Sequence, residues 1–154
     1  LGDVYKRQAF DRVIAHCSAF DRPGQNGTWI LQDMVLAYQA LHRAGFAHSV
    51  ETWIDGELIG GLYCVSIGKA VFGESMFALQ TDASKIALSA LVAFAKQNGI
   101  AWIDCQQNTR HLASLGAQEI GQADFLHALD KAVTQTAPAW EFLPLYWKNL
   151  ISNL

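Results

Sequence analysis

Cysteine is scarce in this chain, and so is positive charge. Only three cysteines occur, Cys17, Cys64 and Cys105, an odd number with no CxxC spacing. That excludes a disulfide framework and reads as reduced thiols in a cytosolic protein. The five histidines share no metal-ligand spacing with one another or with the cysteines. Eleven Lys and Arg against fourteen Asp and Glu leave a net charge of −3, and no basic run exceeds Lys6-Arg7. A free-standing nucleic-acid binder carries a basic footprint; any such contact here needs local geometry or a basic region elsewhere. Long apolar runs are missing too. The longest, Ile86 to Ala95, is too short to cross a bilayer, and the polar, charged first residues do not have the pattern of a signal peptide.

What is present is the composition of a soluble globular protein, 51% hydrophobic and 16% charged. At 154 residues the chain reads as one domain, able to remove roughly 70% of its unfolded surface from water. Residues 1–8 lack periodicity and read as a foreign or unstructured leader. Residues 9–137 form the domain proper, and 138–154 an aromatic, Pro-containing tail. Helical spacing runs through Phe10, Val13, Ile14 and Cys17 within residues 9–20, and residues 21–27 are a loop by composition. Thr28 is placed to cap a helix that ends near Ala44 with Gly45 as its stop; Ile30, Met34, Ala37, Tyr38 and Leu41 make its apolar stripe.

Residues 49–54 and 58–67 read as strands joined by the Asp55-Gly56 hairpin turn. A third strand covers residues 70–77 after Gly68-Lys69. A helix over 82–98, with Ala83, Ile86, Ala87, Ala90, Leu91 and Phe94 inward, stops at Gly99. A crossover strand follows over 100–105, then a helix over 108–115 closed by Gly116, a short strand over 117–120, and a helix over 123–134. The order ααβββαβαβα predicts an α+β fold with a mixed sheet flanked by helices, as in the acyl-CoA N-acyltransferases. Two segments stand out: Gly73-Glu74-Ser75-Met76-Phe77 and Ile103-Asp104-Cys105-Gln106. Both place acidic or amide groups among apolar neighbours, where an unpaired polar group costs about 1–3 kcal/mol. Gly60-Gly61 inside a strand marks either a bulge or a close backbone approach to a substrate.

The runs Gly27-Thr28-Trp29-Ile30, Ala37-Tyr38, Leu41-His42 and Ala47-His48-Ser49-Val50-Glu51 resemble the leucyl/phenylalanyl-tRNA–protein transferase family. So do Gly60-Gly61-Leu62-Tyr63, the two segments above, Ala83-Ser84-Lys85, His111 and Ser114-Leu115-Gly116-Ala117. The resemblance covers the chain from Ala9 to the last helix. Its members carry a smaller N-terminal domain before the catalytic part, so the resemblance implies that these residues are that catalytic part. It implies transfer of Leu or Phe, and less well Met, from the 3′ end of aminoacyl-tRNA to proteins beginning with Arg or Lys. The product is marked for degradation by the N-degron route. It further implies a cytoplasmic, monomeric enzyme related in fold to the acetyl-CoA acyltransferases, without CoA or metal. Departures occur at Cys64, where Gly is usual, at Gln122 and Ala123, where Arg is common, and at Thr109, which replaces a frequent Asn.

The implied chemistry is mild. The donor is an activated ester, and the acceptor amine, with a reference pKa of about 8, needs orientation and a route for its proton. Asp104 and Gln106, two apart on a strand, would share a face; the resemblance gives the first a polarising or proton-accepting role and the second the task of holding the amine. The alternative is an Asp that caps the following helix, with Gln106 bonded to backbone. Cys105 between them is expected on the opposite face as a small buried hydrophobe. Glu74, with Ser75 beside it, would attract the cationic acceptor, or else is a buried carboxylate satisfied by a Lys or the backbone. Carried over from the family, Leu62, Val71, Met76, Leu88, Leu91 and Ile103 form the side-chain pocket, although each is equally at home in a core. Trp29 either stacks on the terminal adenine or packs beneath the sheet. His48 and His111 read as structural, and Lys85 as a solvated cation or a phosphate contact. Two other functions compete: a CoA-dependent N-acyltransferase, for which no glycine-rich pyrophosphate loop precedes the Asp82 helix, and a non-catalytic module binding tRNA ends or basic N-termini.

Overall fold

The computed structural model describes residues 9–19, 30–143, 146 and 148. The expected leader over 1–8, the loop over 21–27, Thr28 and Trp29 lie outside the described residues. The elements are α1 (Phe10–Ala19), α2 (Gln32–Arg43), β1 (Ala47–Ile54), β2 (Glu57–Ile67), β3 (Ala70–Ala78), α3 (Ala83–Gln97), β4 (Ile103–Asp104), α4 (Arg110–Ser114) and α5 (Gln122–Val133). The sheet order is β1-β2-β3-β4, with the first three strands antiparallel and β4 parallel to β3. This is an α+β fold with a mixed sheet flanked by helices, as the order of elements implied.

Local chemistry sets the boundaries. Asp55 (φ 50°) and Gly56 (φ 81°) both sit in the left-handed region, the requirement of a two-residue hairpin whose twist matches its strands. At the end of α2, Gly45 N–H donates to His42 O and Phe46 N–H to Leu41 O, with Gly45 at φ 84°. This pair of bonds satisfies carbonyls that the helix leaves open. The start of α2 differs from expectation: Leu31 holds the N-cap position without a side-chain bond. Its stripe also differs, because α2 buries no residue fully; Ile30 just before it is buried, whereas Ala37 and Leu41 are exposed. In α3 the inward face is Ala83, Ala87, Ala90, Leu91 and Phe94 as expected, but Ile86 is 40% exposed. The expected strand over 117–120 does not form. Ala117 N–H closes α4 onto Leu112 O, and the Glu119 carboxylate takes a bond from Asn108, so this stretch wraps a helix end.

Two cores flank the sheet. Against α1 and α2 lie Phe10, Val13, Ile14, Tyr63 and Phe77, among others. Against α3 lie Leu62, Cys64, Val71, Leu91, Phe94 and Trp140, with Phe142 and Tyr146 of the tail packed on them. His48 is structural in this arrangement, buried and stacked on Trp140 with ring centroids 4.1 Å apart. Glu51 on β1 ties α1 to the sheet. Its carboxylate, 1% exposed, accepts from Ala9 N–H (3.3 Å), Ser49 Oγ (2.9 Å) and Trp53 Nε1 (3.0 Å). Burial pushes its pKa up, and these bonds together with Arg12 oppose the shift. No helix among the described residues is long and apolar enough to cross a membrane.

Gly60 is where α3 seats on the sheet. A methyl group there would lie 2.5 Å from Ala83 Cβ and 2.9 Å from Ala83 C, and the β1–β2 register shifts alongside it. The close approach is therefore by a helix rather than by a substrate. Gly60→Ala has to push α3 away, and overpacking of this kind costs about 1–3 kcal/mol. Urea unfolding should show the lower midpoint with an unchanged slope.

Candidate active site

The β2–β3 ladder pairs Tyr63 with Ser75 and Cys64 with Gly73. Glu74 therefore has no residue opposite it; it is the extra residue of a β-bulge. Strand residues alternate between faces, and an extra residue resets that alternation. Before it, Val71 belongs to the α3-side core; after it, Met76 packs on that same core and Phe77 on the α1-side core. Glu74 is held by Tyr38 of α2, whose hydroxyl donates to Glu74 Oε2 at 2.7 Å. Burial first, then the bond and charge of Glu74, push the Tyr38 phenol well above its ordinary range. Tyr63, edge-on to Tyr38 with centroids 4.9 Å apart, is pushed up likewise, chiefly by burial.

Pairing between β3 and β4 covers only Val71↔Ile103 and Phe72↔Asp104. Beyond that point β3 continues through Ala78 while the chain after β4 leaves the sheet. The gap is a cavity of about 620 Å³, a size suited to a small-molecule group. Its apolar wall comes from Leu62, Met76, Leu88, Leu91, Ile103 and Leu112; its polar wall includes Glu74, Ser75, Ser84, Gln106, Thr109 and His111. Thr109 also caps α4, accepting from Leu112 N–H at 3.1 Å, which fixes the α4 wall.

The segment after β4 makes an uncommon turn. Gln106 has φ 60°, and Gln107 N–H donates to Cys105 O at 2.6 Å. A three-residue turn with positive φ at its centre is rare and strained, and such backbone costs about 1–3 kcal/mol for a non-glycine residue. Gln106 N–H donates to Asp104 Oδ1 at 2.8 Å. β4 ends at Asp104, so the strand rule that would put Asp104 and Gln106 on one face does not apply to them. Gln106 lies on the cavity wall and Asp104 is not among the wall residues. Nor does Asp104 cap the next helix, a task that falls to Thr109. Cys105, expected on the opposite face, is on the wall as well. Its thiol is pushed up by burial and, secondarily, by the charge of Asp104, so it is protonated at neutral pH.

The cavity thus gathers Glu74, Ser75, Met76, Leu62, Leu88, Leu91, Ile103 and Gln106 of the residues singled out from sequence. Val71 is a correction: fully buried, it lies toward the hairpin end where the α3-side core closes over it. Trp29 lies outside the described residues. Lys85 pairs with Asp82 at 2.5 Å on the exposed surface. The sequence reading missed the contribution of α4. His111, expected to be structural, stands on the wall with Thr109 and Leu112. The available signal was the Thr109 cap itself, which fixes where that helix begins.

A profile described as leucyl/phenylalanyl-tRNA protein transferase matches residues 3–130. Curated relatives include a leucyl/phenylalanyl-tRNA–protein transferase of Polaromonas sp., 63% identical over 94% of this chain and 56% of its own length. Those of Albidiferax ferrireducens and Leptothrix cholodnii are 58% and 59% identical over 94% and 92% of this chain, and 57% and 56% of their own lengths. The chain spans about half the length of the curated relatives it matches. Among solved structures, it is similar to AAC(6')-Iy in complex with a bisubstrate analog, at 14% identity and TM-score 0.46, covering 93% of this chain and 96% of that one. A ribosomal-protein-alanine N-acetyltransferase from Brucella melitensis is similar at 13% identity and TM-score 0.48, covering 93% and 94%.

Cys105 offers a direct probe of the wall. Cys17 and Cys64 are buried, whereas Cys105 is partly accessible. Only the thiolate reacts with alkylating reagents, and a raised pKa means less thiolate at every pH below it. Iodoacetamide labelling of Cys105, followed by peptide mass spectrometry, should be slower than that of free cysteine at pH 7. Its rate should go on rising above pH 9, where the free thiol levels off.

Proposed function

We propose, from the premise that this chain belongs to the leucyl/phenylalanyl-tRNA protein transferase family, that the cavity is where an aminoacyl ester meets a peptide amine. Leu or Phe, and less well Met, passes from the 3′ end of aminoacyl-tRNA to the N-terminal Arg or Lys of an acceptor protein. The observation that carries this reading is the division of one 620 Å³ cavity into an apolar wall and a polar wall bearing Glu74 and Gln106.

The side chain of the donor takes the apolar wall, against Leu62, Met76, Leu88, Leu91 and Ile103. Met76 adapts its shape to branched or aromatic occupants. The cationic acceptor residue is drawn to Glu74, whose carboxylate Tyr38 holds in place, and the Gln106 carbonyl accepts from the incoming amine. The uncharged amine attacks the ester carbon. The new C–N bond forms, the C–O bond to the ribose breaks, and the proton released by nitrogen ends on the ribose oxygen, so no net proton is consumed. Two reactants held in register supply about 7–11 kcal/mol toward the barrier. Trp29 is the proposed stacking platform for the terminal adenine, worth about 1–3 kcal/mol. With a net charge of −3, this chain is assigned only a small share of the phosphate contact. The product enters N-degron proteolysis, and the enzyme works as a cytoplasmic monomer.

The test is transfer of labelled Leu from Leu-tRNA to an Arg-starting peptide; acylation from acetyl-CoA instead would replace this reading with a CoA-dependent one. One methylene in an apolar pocket is worth about 1–3 kcal/mol. Leu and Phe should therefore exceed Ala and Gly as donors by at least about tenfold, with Met between them, while charged donors fail on desolvation. In Glu74→Gln the KM for the Arg-starting peptide should rise about tenfold, the equivalent of about 1.4 kcal/mol, with the KM for Leu-tRNA unmoved. Steady-state kinetics with each substrate varied in turn separates the two effects.

A further inference from the structure

We infer that His111 carries the proton of the transfer step: its imidazole takes the proton from the attacking nitrogen and hands it to the ribose oxygen as the ester bond breaks. The inference rests on the transfer reading above and adds a named carrier to it. His111 stands on the same cavity wall as Gln106, the residue assigned to the amine. It is the second residue of α4, and that helix is fixed at both ends. Thr109 accepts Leu112 N–H at 3.1 Å, and Ala117 N–H closes onto Leu112 O. Ser114 Oγ also donates to the His111 carbonyl oxygen at 2.7 Å. The backbone is therefore held, while the residue itself is exposed.

The histidines nearer the N-terminus have structural tasks. His16 stacks on Phe77 with ring centroids 4.6 Å apart. His42 stacks on Phe10 at 4.2 Å, and its Nδ1 lies 2.7 Å from Ala47 O. His48 stacks on Trp140. The His111 imidazole has no ring or hydrogen-bond partner among the described residues. A carrier must take up and release a proton near neutral pH, and imidazole is the side chain suited to that. The other titratable groups described on the wall are Tyr63 of β2, Glu74 of β3 and Cys105. Burial above all keeps the Tyr63 phenol and the Cys105 thiol protonated. The Glu74 carboxylate is engaged by Tyr38 and, in the transfer reading, by the cationic acceptor; a carboxylate also favours the charged form of a nearby amine. From α3 the wall receives Ser84, Leu88 and Leu91, which carry no charge, and Arg110 precedes His111 on α4.

The step balances. As the C–N bond forms, the nitrogen becomes acidic and the neutral imidazole accepts its proton. The imidazolium then protonates the ribose oxygen as the C–O bond breaks, and the ring ends neutral. General acid–base help of this kind contributes about 10²–10⁴-fold.

The experiment measures Leu transfer from Leu-tRNA to an Arg-starting peptide by wild type, H111Q and H111N, from about pH 5 to 8. Both variants keep a polar side chain at an exposed position. At neutral pH their kcat should fall about a hundredfold, with the KM for Leu-tRNA nearly unchanged. Wild type needs two groups uncharged, the amine and the imidazole, whereas the variants need the amine alone. On the acid side, log(kcat/KM) for the peptide should therefore rise with pH more steeply in wild type, by about one in slope. A kcat in both variants within a few-fold of wild type overturns the inference. So does an equal acid slope in all three proteins, which marks a structural role, or a defect confined to the KM for Leu-tRNA, which marks a nucleic-acid contact. Absence of transfer in wild type defeats the transfer reading and the inference with it; transfer by wild type that the variants match defeats the inference alone.

Discussion

The site depends on one extra residue in a ladder. A strand of period two cannot put Val71 and Met76, five positions apart, on the same face. The bulge at Glu74 allows it. Both cores are built from that change of parity: Val71 and Met76 meet the α3 side, while Phe77 meets α1. Without it, every residue on one side of the bulge would swap faces, placing Met76 against α1 and Phe77 against α3. The same device re-aims the strand where a carboxylate is needed, and the Tyr38 hydroxyl supplies its partner at 2.7 Å. The Glu74 carboxylate on the cavity wall is thus set by sheet geometry and held from a separate helix.

The remaining architecture serves to open a gap beside that bulge. Parallel pairing of β3 with β4 stops after two residue pairs, and the chain then turns sharply at Gln106 instead of extending the sheet. Because β3 runs on past the end of β4, paired there with β2 on its other edge, its side chains and those of the departing segment face each other across space that α3 and α4 close. Gly60 matters at the far end of this construction. With no side chain there, α3 sits close enough for Leu88 and Leu91 to reach the same cavity.

Much of this was legible in the residues, and the reasons are local. Gly45, Gly56, Gly99 and Gly116 all adopt positive φ, so the stops and turns placed at them follow from backbone chemistry that only the near neighbours decide. The apolar spacing of α3 and the Asp55-Gly56 hairpin are of the same kind. The pocket residues Leu62, Met76, Leu88, Leu91 and Ile103 came from family resemblance, since nothing in their spacing separates a wall from a core; Val71 shows the limit of that transfer. What escaped was non-local. The apolar run over 100–105 has the composition of a full strand, but its length is set by where β3 stops offering a partner. The faces of Asp104, Cys105 and Gln106 then follow from a turn, which strand periodicity cannot reveal. Ile86 and the stretch over 117–120 failed similarly: periodicity names a face, and neighbours decide whether anything covers it.

The short pairing of β4 has a bearing on how the molecule breathes. Strands β1 to β3 form a continuous antiparallel meander whose contacts are close in sequence, whereas β4 joins it only after the chain has closed a loop through α3. Elements held by few ladder bonds and exposed loops open at lower free energy than the sheet they attach to, and contacts that require a long loop form late. The wall carrying Gln106, held to the sheet by two residue pairs, therefore opens at lower free energy than the meander.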